Sequence, residues 1–92
     1  MKIIILPYLS ELLGTFLLVL ALLMSDANPL VTGGSLILIM SLSSKAGGIH
    51  VNPAISIMAF LNGKLDSYKT IGFVAAQIAG AILSLYVVKN FA

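Results

Sequence analysis

The 92-residue chain carries five lysines and three acidic residues, a net charge of +2, with 60% hydrophobic and 9% charged residues and a mean hydropathy of +1.13. An ordinary soluble domain is about a quarter charged, so the composition excludes that class and describes an integral membrane protein. Five scattered lysines are too sparse for a nucleic-acid surface, and the lack of cysteine excludes disulfides and thiolate metal sites.

The first predicted element is a span over residues 3–24. Lys2 ahead of an apolar run also suits a signal peptide, but the run continues to Met24 with Glu11 inside it and no A-x-A site follows, which favours a membrane span. Residues 25–28 are polar, and Asn28-Pro29 joins a helix N-cap to a proline at the first helical position. The second span therefore covers residues 30–44. Its length falls short of the roughly 20 residues a bilayer core requires, so it crosses only if residues 43–48 lie near the membrane surface.

The next stretch, Gly47-Gly48-Ile49-His50-Val51-Asn52-Pro53-Ala54, is a glycine-loosened loop ending in a second Asn-Pro pair. The same cap chemistry predicts a helix over 53–61, which rises only about 13 Å at ~1.5 Å per residue. Residues 45–61 therefore form a re-entrant loop and half-helix that enters and leaves on one side. Irregular backbone at membrane depth is tolerated only inside protein or along a water-filled cavity, so a pore or binding cavity is expected beside it. Asn62-Gly63 stops the half-helix, Lys64, Asp66, Ser67 and Lys69 form a polar loop, and the last span covers 71–88. The expected architecture is all-α: one unit of three transmembrane helices plus one re-entrant half-helix.

Glu11 lies in the middle of the first span, where a carboxylate costs several kcal/mol unless it finds donors. Glu11, Gly14, Thr15 and Leu18 share one helical face, which should meet protein. Two roles stand open for Glu11: accepting bonds from orphaned N–H groups of the re-entrant loop, or carrying a proton or cation. In the last helix Gly72, Ala76, Gly80 and Ser84 recur at every fourth position as a small-residue packing ridge. Gln77 lies on the same side, suited to bonding across helices. His50 is the single histidine, either bonded to local backbone or acting as a pH sensor. With no cysteine and three scattered acids there is no metal set, and no hydrolytic triad, phosphate loop or dinucleotide fingerprint appears. Neither an enzyme nor a cofactor is expected.

Three motifs together resemble the aquaporin (major intrinsic protein) family, and specifically one of its two homologous halves. Glu11-Leu-Leu-Gly14-Thr15 is similar to the family's E-x-x-G-T, Gly48-Ile-His50-Val-Asn52-Pro53-Ala54 to its G-x-H-x-N-P-A loop, and Ala76-Gln77-Ile-Ala-Gly80-Ala81 to its A-Q-x-x-G-A helix. The resemblance implies a pore lined by Asn52, Pro53 and Ala54. The loop Gly48, Ile49, His50 and Val51 would run beside it, Glu11 would brace the loop, and Gly14, Gly72, Ala76, Gln77, Gly80 and Ser84 would pack the helices. It also implies that the Asn52 amide orients water while the half-helix N-terminus disfavours cations and protons. The chain departs from the family twice. It supplies one N-P-A half-helix where a complete member has two in inverted repeats, and Ile55 stands at the selectivity position where the family's second half carries arginine.

Such a half implies an antiparallel homodimer, grouped further into a tetramer of pores, or else a heteromer with a chain that supplies the other half. Lys2, Lys45, Lys64 and Lys69 on one side against Lys89 on the other favour a single orientation. The expected permeants are water and small neutral solutes such as glycerol, urea or ammonia, with the lipid bilayer as the surrounding partner. Two rivals are a dual-topology, proton-coupled exporter of the small multidrug resistance type, which also has an acid in an E-x-x-G-T first helix, and a non-conducting assembly subunit.

Overall fold

The computed structural model describes residues 4–48 and 50–92. These residues form helices and connecting turns, with no strand among them. α1 runs over Leu6–Met24, α2 over Pro29–Ser43, α3 over Pro53–Leu61 and α4 over Ser67–Phe91, and a single 3-10 turn, Ser44–Ala46, extends α2. Three segments are long and apolar enough to cross a membrane: Leu6–Met24, Pro29–Ala46 and Ser67–Phe91. The 3-10 turn supplies the length that α2 lacks alone.

Local chemistry sets the helix ends. Asn28 accepts the Val31 N–H on its side-chain oxygen at 3.0 Å, opening α2 on Pro29. α3 ends in a Schellman turn: Gly63 takes a left-handed φ of 76°, its N–H reaches the Phe60 carbonyl at 3.1 Å, and the Lys64 N–H reaches that of Ala59 at 2.8 Å. α4 starts at Ser67, before the 71 read from hydropathy, because the Asp66 carboxylate accepts the Lys69 N–H at 2.8 Å and begins the helix inside a polar turn. It continues to Phe91, beyond residue 88. Its 25 residues exceed the ~30 Å hydrocarbon core at ~1.5 Å per residue, which puts the turns bearing Lys69 and Lys89 at the interfaces. α1 starts at Leu6, after a turn at Ile4 and Ile5, and residues 1–3 lie outside the described residues.

α4 runs parallel to α1: Gly72 lies against the Tyr8 ring, Gln77 against Glu11, and Gly80 against Leu12 and Phe16. α2 runs antiparallel to α1, with Ile39 and Ser43 opposite Gly14 and Gly47 beside Pro7. The fold is inverted relative to a soluble domain. Among the described residues Glu11, Thr15, Ser56, Gln77 and Ser84 are the buried polar ones, against Ile39, Val51, Ala59 and Phe73 among the buried apolar ones. Leu, Ile and Phe side chains cover the outside, as lipid requires. An apolar groove of about 240 Å³, lined by Leu9, Leu13, Leu17, Ile39 and Leu42, remains between α1 and α2.

The small-residue ridge of α4 is rotated from the sequence reading. Phe73, Gln77, Gly80 and Ser84 are buried, whereas Gly72 and Ala76 are half-buried. A strict four-residue repeat drifts around a helix of ~3.6 residues per turn, so a contact face follows mixed steps of three and four. Gly80 is the closest approach: a Cβ there would run into the Leu12 carbonyl and come within 3.0 Å of the Phe16 N. A Cβ at Gly34 in α2 would meet nothing within 4 Å. Gly80→Ala should therefore force α1 and α4 apart and cost about 1–3 kcal/mol. Gly34→Ala should be neutral or gain up to about 1 kcal/mol of helix propensity. Unfolding in mixed micelles separates the two, and equal stability for both variants would contradict this packing.

Candidate functional site

The site is the loop that leads into α3, together with the two long helices that hold it. Asn52 has extended backbone, φ −157°, and its side-chain oxygen accepts the Ala54 N–H at 2.9 Å, while Pro53 occupies the first helical position. With the amide oxygen engaged in the cap, its NH2 group is the unengaged end, and the side chain is exposed. Pro53 is half-buried, whereas Ala54 and Ile55 are exposed. Ala54, Ile57, Met58, Leu61 and Asn62 line a shallow hollow.

Val51 comes just before the cap and has a left-handed φ of 47°. For a β-branched residue this conformation costs roughly 1–2 kcal/mol, so its surroundings must impose it. They do so from α1. Glu11 is fully buried; its Oε1 accepts the Val51 N–H at 2.7 Å and its Oε2 the His50 N–H at 2.9 Å. From α4, Gln77 donates its amide Nε2 to Glu11 Oε1 at 2.6 Å and to Ser56 Oγ at 2.9 Å. Ser10 donates its hydroxyl to the Gly48 carbonyl at 3.1 Å, and Gly48 is buried. Three N–H donors thus converge on one carboxylate, from the loop and from α4, in a place that water does not reach.

The His50 ring is half-buried. Its Nδ1 lies 2.8 Å from Ser56 Oγ, and its plane meets the Phe73 ring edge-on at 5.3 Å between centroids. Phe73 also meets Tyr8 edge-on at 5.6 Å. Ile49 lies outside the described residues. Gly14 packs against Val51, Ile39 and Ser43 behind the loop. Gly72 and Gly80 pack against α1, Ser84 is buried, and Ala76 is half-buried. Gln77, read from the sequence as a packing residue, belongs to the cluster itself.

Ser56 escaped the sequence reading, although it is fully buried at the junction of loop, half-helix and α4. It is the one polar side chain in α3, and that isolation was the available signal. Phe73 also escaped, although it precedes Gln77 by one helical turn. Gln77 Oε1, Thr15 Oγ1 and Ser84 Oγ are buried without a hydrogen-bond partner among the described residues. Among the same residues no group of three metal-ligating side chains forms.

These features define an all-α, multi-pass membrane protein whose interior polar groups hold an irregular loop against two spanning helices. The sequence profile described as "Major intrinsic protein" matches residues 24–92, and the chain belongs to that family. Among curated relatives, "Glycerol uptake facilitator protein-like 6" of Lactiplantibacillus plantarum is 37% identical over 92 aligned residues, covering 91% of this chain and 43% of that protein. "Aquaglyceroporin AqpS" of Rhizobium meliloti is 35% identical over 88, covering 79% and 38%. "Aquaporin PIP2-4" of Oryza sativa subsp. japonica is 32% identical over 59, covering 64% and 21%. The chain spans less than half the length of each. No solved structure matches the chain. Family and relatives are channels and facilitators rather than enzymes.

Proposed function

We propose that this chain is one half of a passive membrane channel for water and small neutral solutes, with Asn52 facing the path and α3 as its re-entrant half-helix. The observation that carries the reading is the Asn52 cap: its oxygen starts the helix, leaving NH2 donors on the open face at the positive end of the α3 dipole. The antiparallel α2 and parallel α4 support the re-entrant course, because residues 44–66 must then leave and return on one side of the membrane. The glycerol facilitator and the aquaglyceroporin among the relatives support solutes of glycerol size.

The complementary half is a second copy in inverted orientation, meeting the exposed face of α3 at Ala54, Ile57, Met58 and Leu61, with such dimers grouped into a tetramer of pores. A second reading, a heteromer with another half, is favoured by one observation. Lys45, Lys64 and Lys69 lie at the membrane face where α2 ends and α4 begins, against Lys89 at the other. The proton-coupled exporter is disfavoured by the setting of Glu11, whose oxygens are both occupied by donors in a fully buried position.

Vesicles reconstituted with the chain should shrink under an osmotic gradient, and swell in glycerol, faster than empty ones with no proton gradient applied. Flux that requires a pH gradient would favour the exporter instead. Tags on Ala92 should appear on both membrane faces for the homodimer and on one face for the heteromer. Ile55→Arg places a guanidinium beside the path and should slow glycerol and urea more than water, and equal slowing of all three would remove Ile55 from the selectivity position.

A further inference from the structure

Ser56 is fully buried in an otherwise apolar helix, and the roles proposed above leave its hydroxyl without a task. Among the described residues Ser56 Oγ has two polar neighbours, Gln77 Nε2 at 2.9 Å and His50 Nδ1 at 2.8 Å. The Gln77 group must be the amide nitrogen. Its other neighbour is the Glu11 carboxylate at 2.6 Å, which accepts only, and an amide oxygen turned that way would be repelled. The same orientation explains why Gln77 Oε1 is the atom left without a partner.

Ser56 therefore accepts from Gln77, and His50 Nδ1 is the acceptor available to its own O–H. A proton on Nδ1 would aim a second donor at Oγ and strand the serine hydrogen where water has no access. The neutral ring accordingly carries its proton on Nε2. No described residue bonds that nitrogen, and it is not among the buried atoms left without a partner. Two residues on, Asn52 likewise has its acceptor engaged and its donors free.

We infer that Ser56 is a positioning residue that fixes His50 as an outward Nε2–H donor. The loop then offers two side-chain donors, from His50 and Asn52, beside the start of α3. The use of these donors by a passing solute rests on the channel reading; the tautomer itself does not.

With a single histidine in the chain, nitrogen-15 NMR of histidine-labelled protein in bilayers reports the ring directly. The wild type should show Nδ1 unprotonated and hydrogen-bonded, with the proton on Nε2. Ser56→Ala should move the Nδ1 resonance, and Ser56→Thr should restore it. A protonated Nδ1 in the neutral wild-type ring, or a histidine spectrum unchanged by Ser56→Ala, would overturn the inference. The wild-type spectrum and Ser56→Thr decide it even if Ser56→Ala does not fold. The expected spectra in a protein that conducts nothing would remove the channel reading and leave the tautomer assignment standing.

Discussion

Replacing Glu11 with leucine should abolish the folded protein. The carboxylate accepts the N–H groups of His50 and Val51 and one amide hydrogen of Gln77, all in a fully enclosed position. An orphaned buried donor costs about 1–3 kcal/mol, so the three together approach the roughly 5–15 kcal/mol by which a whole protein is stable. Neither lipid nor the apolar groove can supply an acceptor, and the left-handed backbone of Val51 loses the bond that imposes it. Glu11→Gln is milder. Its one oxygen can keep the Val51 and Gln77 donors, leaving the His50 N–H facing an NH2 group, a loss of about 1–3 kcal/mol. That variant should fold with a lowered melting temperature and keep measurable permeability. Folded yield in detergent and thermal melts give the ranking, and a leucine variant as stable as wild type would remove Glu11 from the structural centre. Normal folding of Glu11→Gln with loss of a pH-driven flux would instead revive the exporter.

The identity of the helices could be read from the sequence because hydropathy and cap chemistry are local. Asn28-Pro29 and Asn52-Pro53 mark helix starts, and Asn62-Gly63 marks a stop, by interactions that span only a few residues. The start of α4 could not be read from hydropathy, because the Asp66 cap operates inside a polar turn. At the site, Glu11 and Gln77 stood out as polar groups in apolar helices, which must find partners somewhere. That they bond each other directly, and that Gln77 also reaches Ser56, was not legible. A lone serine in an apolar helix ordinarily bonds the carbonyl one turn back, and nothing local separates that case from a bond to another helix. The strained Val51 was equally hidden, since a β-branched residue gives no sequence sign of positive φ, and only the carboxylate from α1 imposes it.

Asn52→Ala is the second large expected effect and bears on the central claim. The substitution removes the side-chain cap of α3, worth about 1 kcal/mol, and removes the free NH2 donors from the open face. Water crossing a dehydrating constriction loses a hydrogen bond worth about 1 kcal/mol, which raises the barrier enough to slow passage about fivefold. Helix α3 retains Pro53 and its Schellman stop, so the protein should still fold. The most direct measurement is stopped-flow light scattering of vesicles holding equal amounts of folded wild-type and Asn52→Ala protein under an osmotic gradient. The expected result is fast, passive water flux in the wild type that falls about fivefold in the variant. Wild-type vesicles no faster than empty ones, or a variant with unchanged water flux and unchanged ion exclusion, would contradict a channel half with Asn52 at its path.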